Sequence, residues 1–254
     1  MPVWVQAGFW GLVAGSALLI GAAIGYFARL PQRLIAAIMA FGAGVLISAL
    51  AFDLMDEAYR KGGFDAVAIG FVGGAALYTA ATYWLNHRGA RHRKRSGHHD
   101  DQQPSEEEHG GSGLAIAVGA LLDGIPESIV VGVSLIAGGG VSVVTVIAIF
   151  LSNMPEGLSG ASGMKRSGRS AGYIFGLWGG IMLTSGLAAI VGYTVFRRFG
   201  DEVIAGTTAV AAGAILAMLA DTMMPEAFEE AHDLAGLVTV AGFLAAFILT
   251  KIGE

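Results

Sequence analysis

The stretch LAIAVGALLDGIPESIVVGVSLIAGGGVSVVTVIAIFLSNMPEGLSGASGM, Leu114–Met164, decides the reading of this chain. It holds three carboxylates, Asp123, Glu127 and Glu156, and no lysine, arginine or histidine. Two long apolar runs, joined by the small-residue turn AGGGVS, each reach the ~20 residues that a helix needs to cross ~30 Å of hydrocarbon. The runs also repeat a motif. LLDGIPES (Leu121–Ser128) and FLSNMPEG (Phe150–Gly157) align over Leu-x-x-x-Pro-Glu.

A helix places Asp123 and Glu127 on one face, and it does the same for Ser152 and Glu156. Asn153 sits about one turn before Glu156. Two such helices facing each other offer three carboxylates, an amide and a hydroxyl, an all-oxygen set suited to a divalent cation. Pro126 deprives the Leu122 carbonyl of its helical donor, and Pro155 does the same to Leu151. Carboxylates at membrane depth are costly and mark ion pathways. The plainer alternative is a pair of proline kinks whose acids hydrogen-bond across an interface.

Outward from this centre the whole chain has the same character. Of 254 residues, 54% are hydrophobic and 14% charged, against roughly 25% charged in a soluble domain. Eight apolar segments are expected, near Ala7–Phe27, Leu34–Phe52, Ala66–Leu85, Leu114–Ile136, Val141–Ser162, Ala171–Phe196, Val203–Met224 and Leu234–Thr250. Consecutive spans run in opposite directions, so the two Pro-Glu motifs are related by inversion. A second echo links AGVLISALAFDLMDEA (Ala43–Ala58) with AGAILAMLADTMMPEA (Ala212–Ala227). Inverted repeats with interrupted helices point to a transporter site near the midplane. Lysine and arginine are richer in one set of alternate loops, which puts both termini outside a multi-pass protein of the cell membrane.

The 39 glycines form helical ladders: Gly11 with Gly15, Gly21 with Gly25, Gly70 with Gly74, and Gly172 with Gly176 and Gly180. Packing within the chain is the first expectation for each, ahead of a homodimer seam. No cysteine is present, so disulfides and thiolate ligands are excluded. The remaining polar stretch, residues 87–113, turns from basic to acidic and contains His98, His99 and His109; it reads as a cytoplasmic loop with scope for weak metal binding. It separates residues 1–86, with three spans, from residues 114–164, with the two site helices; residues 165–254 hold three more. Asp53, Asp56 and Glu57, at the expected end of the second span, and Asp221 and Glu226, in the seventh, are further pathway candidates. Asp221 is read as the deeper of that last pair.

The fragments PES and NMPEG, at equivalent places in the fourth and fifth spans, resemble the HNxPEG signature of the ZIP family of divalent metal transporters. The eight-span plan and the histidine-bearing loop after the third span are similar too. The resemblance implies an all-α 3+2+3 bundle with an inverted repeat, a metal site between the fourth and fifth helices, and net movement of metal toward the cytoplasm. It departs from the family pattern at Asp123 and Ser152, which stand at histidine positions, and at Gly124, which stands at an asparagine position. An all-oxygen site favours harder ions more than imidazole does, so manganese, iron and cadmium join zinc as expected substrates. Neither an organic cofactor nor nucleic acid is expected; the partners are the metal ion and the lipid bilayer. Two rival functions remain in view: a non-transporting membrane metal sensor and an intramembrane aspartyl protease, the latter lacking a GxGD sequence. The transporter reading makes the chain no enzyme.

Overall fold

The computed structural model describes residues 1–28, 30–87, 112–137 and 140–253. Every regular element among them is helical. In chain order these are α1 (Val3–Phe27), α2 (Gln32–Ala49), α3 (Met55–Leu85), α4 (Ser112–Ser134), α5 (Val143–Arg166), α6 (Ala171–Phe196), α7 (Asp201–Met218), α8 (Met224–Ala231) and α9 (Ala235–Gly253). Single π-helical turns, Leu50–Leu54 and Leu219–Met223, join α2 to α3 and α7 to α8. Helix starts follow their sequence signals. Ser142 caps α5 by accepting the Thr145 N–H at 3.2 Å, and Ser170 caps α6 by accepting that of Tyr173 at 3.2 Å. Lys165 and Arg166 lie in the last turn of α5, where the helix dipole favours cations.

Among the described residues seven helical stretches are long and apolar enough to cross a membrane: Val3–Phe27, Gln32–Leu85, Ile116–Ser134, Val143–Arg166, Ala171–Phe196, Asp201–Glu229 and His232–Ile252. The second is 54 residues long and broken at Gly63, whose φ of 70° and ψ of -176° lie outside helical space. This corrects the expected end of the second span near Phe52. The helix continues to Gly62 because nothing in DLMDEAYRK breaks it. Asp56 pairs with Arg60 and Glu57 with Lys61, each at 2.5 Å and each with the acid one turn before the base. That orientation supports a helix. The molecule's outer surface is apolar, with Leu183, Leu187 and Val191 of α6 and Leu237, Val240 and Leu244 of α9 exposed. Such a surface suits hydrocarbon.

Within the bundle α1 packs on α5 and α6, and α4 packs on α6. Helices α2 and α9 form another close pair, as do α3 and α7. Contacts of α2 with α5 and of α4 with α7 join these groups. The repeat of residues 43–58 in residues 212–227 is structural as well. Each copy carries its π turn at its eighth to twelfth residues. Each also has a glycine at its second position against a neighbour's backbone. A Cβ at Gly44 would lie 1.9 Å from the Thr239 carbonyl oxygen of α9, and one at Gly213 would lie 1.9 Å from the Phe71 carbonyl oxygen of α3.

Glycines of three predicted ladders sit at helix contacts within the chain. Gly11 and Gly15 face α6, Gly21 and Gly25 face α5, and Gly70 and Gly74 face α7. The fourth ladder differs. Nothing lies within 4 Å of a Cβ at Gly172, Gly176 or Gly180, so this stripe of α6 makes no close approach inside the described chain.

Candidate cation site between α4 and α5

Both proline-containing helices run through their prolines, Pro126 in α4 and Pro155 in α5. The backbone around Pro155 is held by close neighbours. The glycine of NMPEG, Gly157, lies against α1, where a Cβ would come within 2.1 Å of the Leu18 carbonyl oxygen. Gly42 of α2 gives the same kind of access on another side: a Cβ there would lie 3.2 Å from Pro155 Cγ and 3.3 Å from the Leu151 carbonyl oxygen. The Leu151 carbonyl, which Pro155 cannot serve, therefore faces α2.

All five residues of the expected site are buried. Asp123 is 2% exposed, Glu127 1% and Glu156 5%, and Ser152 and Asn153 are equally enclosed. Ser152 donates its hydroxyl to the Ile149 carbonyl of its own helix at 2.9 Å. Asn153 donates Nδ2 to the Ala14 carbonyl of α1 at 3.2 Å, which ties α5 to α1 beside the motif and leaves the amide oxygen as an acceptor. Asp123 accepts a hydrogen bond from the Tyr78 hydroxyl of α3 at 2.5 Å. Among the described residues, no group of three or more His, Asp and Glu side chains gathers tightly enough to enclose an ion in this conformation.

Tyr78 escaped the sequence reading. Its signal was its depth: Tyr83 and Trp84 mark an exposed aromatic end to α3, and Tyr78 lies buried more than a turn inside it. A tyrosine at that depth needs a partner for its hydroxyl.

The other candidates separate clearly. Asp53, half-buried on the first π turn, accepts from Ser142 at 2.9 Å and from Thr145 at 2.5 Å through Oδ2. Its carboxylate therefore rests on the first turn of α5, where a helix N-terminus favours negative charge. Asp56 and Glu57 are engaged with Arg60 and Lys61. In the seventh span Asp221 is exposed on the second π turn, and Glu226 is buried in the bundle. The wider π turn holds one more residue than an α turn, which shifts the helical phase by about 100° and turns a different face inward. His98, His99 and His109 lie outside the described residues.

Four carboxylates, Asp123, Glu127, Glu156 and Glu226, are thus buried, and no lysine, arginine or histidine is buried among the described residues. Asp123 is the one aspartate among those four. No protein-family model matches the chain, nor does any curated protein.

Proposed function

We propose that this protein carries divalent metal ions across a membrane, toward the cytoplasm, with Asp123, Glu127 and Glu156 as the charged ligands. Asn153 and Ser152 add neutral oxygens. The observation that carries the reading is the sign of the buried charge: three carboxylates on two consecutive apolar helices, with no lysine, arginine or histidine buried among the described residues. A buried charge is expensive without a counter-charge. A divalent cation provides one, and oxygen ligands suit zinc, manganese, iron or cadmium with little preference for zinc. Closing the side chains around an ion is part of this reading, as is alternating access to one site from two sides.

Counting the break at Gly63 as a reversal makes eight spans, arranged 3+2+3 about α4 and α5 with an inverted repeat, which is the plan that the resemblance to the ZIP family implies. Two contacts support the relative directions that this plan gives its spans. Lys165, at the end of α5, donates to the Tyr26 carbonyl at the end of α1, at 2.6 Å. Asp53 meets the start of α5 at the opposite end. Among the described residues one aspartate, Asp123, is buried, which speaks against a paired-aspartate protease.

Uptake into proteoliposomes tests the function. Purified protein should accumulate manganese, cadmium or zinc inside vesicles, with mutual competition, and the Glu127→Gln/Glu156→Gln variant should not. Binding without accumulation would make the protein a sensor. Uptake by the double variant at the wild-type rate would remove the site.

A further inference from the structure

Six threonine hydroxyls in the apolar helices share one habit. Thr184, Thr194, Thr207, Thr222, Thr239 and Thr250 each donate to the carbonyl four residues earlier, which spends the hydroxyl proton on the helix itself. Thr82 of α3 departs from it, and like Ser48 of α2 it is a buried hydroxyl that spends no proton within the described residues. It is 5% exposed, and its Oγ1 has no hydrogen-bond partner among the described residues. An unspent hydroxyl in an apolar interior costs about 1–3 kcal/mol, so such a position calls for something to bind.

Its surroundings say what. Tyr78, one turn earlier on the same face, donates to Asp123 of α4. Leu85, nearly one turn later, packs against Leu122, the residue next to Asp123. Thr82 lies between these two contacts and so faces the same stretch of α4. A valine would fill this space equally well without a polar atom to satisfy. Helix α3 belongs to the pair packed on α7, whereas α4 packs on α6, so the three side chains meet where the helix groups meet.

We propose that α3 forms a wall of the cation site, with Thr82 Oγ1 as an additional oxygen ligand beside Asp123 and with Tyr78 as the positioning residue that holds Asp123 while no cation is bound. The inference rests on the cation reading above. The two hydroxyls have opposite effects. Tyr78 donates its proton to the carboxylate and so competes with a cation for Asp123, whereas Thr82 presents lone pairs to the ion and stabilises the loaded state. Coordination becomes an exchange, in which the ion displaces the phenol from Asp123 and gains the threonine oxygen.

The test is equilibrium binding of cadmium and manganese to the purified full-length protein, read by calorimetry, alongside thermal unfolding without metal. Thr82→Val should weaken binding several-fold without lowering the unfolding temperature of the metal-free protein, and Thr82→Ser should restore binding. Tyr78→Phe should tighten binding several-fold and lower the unfolding temperature of the metal-free protein. Wild-type protein that binds cadmium while Thr82→Val binds it equally well overturns this inference and leaves the cation reading standing. Wild-type protein that binds neither ion overturns both.

Discussion

Two pairs of related segments run through this molecule, and they have diverged in opposite ways. The Pro-Glu motifs of α4 and α5 keep their acids: Glu127 and Glu156 occupy the same place in each copy and both are buried. The segments 43–58 and 212–227 keep their backbone instead. Both have the π turn and the glycine contact, yet their charges are redistributed. Glu57 of the first copy is half-exposed and held by Lys61, whereas its counterpart Glu226 is buried. One turn further on the sequence has Arg60 and Lys61 in the first copy but Glu229 and Glu230 in the second. The difference teaches that the repeated backbone is a scaffold whose ends tolerate either charge, while the repeated acids of α4 and α5 answer to one chemical requirement.

Variants can break or sharpen that contrast. The largest effect belongs to the repeated acids. Glu127→Gln and Glu156→Gln should each weaken cation binding by about 2 kcal/mol or more, roughly 30-fold, as measured by calorimetry. An unequal pair, one silent and one disabling, would break the equivalence of the two motifs. Next comes the shared backbone. Gly44→Ala and Gly213→Ala should each lower stability by about 1–3 kcal/mol, because the added carbon collides with a carbonyl oxygen in both cases. Thermal unfolding in detergent checks this, with Gly179→Ala, where a Cβ meets nothing, as the control without loss.

The redistributed polar groups should give smaller and unequal effects. Asp53→Asn should cost about 1–2 kcal/mol, since it loses charge-assisted bonds to Ser142 and Thr145. Its counterpart Thr222 donates only to the Met218 carbonyl of its own chain segment, so Thr222→Val should stay within about 0.5 kcal/mol. Lys61→Met is the smallest, at about 0.3–0.5 kcal/mol for a partly exposed ion pair one turn apart, and added salt should mask it.

The legible part of this fold was what one dimension can carry. Uncharged runs of membrane-crossing length show in the sequence because hydrocarbon demands them of every residue in turn. The paired Pro-Glu motifs show because identity and spacing suffice. Burial of Asp123, Glu127 and Glu156 followed from both. The continuation of helix past Phe52 to Gly62 was hidden because a charged stretch looks like a loop until its acids and bases are seen to pair along one helix face. Which of Asp221 and Glu226 faces the bundle was hidden because a π turn alters phase without altering composition. The contacts of Tyr78 with Asp123, and of Asn153 with α1, join residues 45 and 139 apart, and no local pattern encodes such a meeting.

The account stands on a cation held between α4 and α5. Anomalous diffraction from crystals grown with cadmium or manganese measures this directly. The prediction is a metal peak within about 2.0–2.6 Å of oxygens from Asp123, Glu127 and Glu156 together. A peak elsewhere in the protein at saturating metal, with these three side chains turned apart and bonded only to protein, would contradict it.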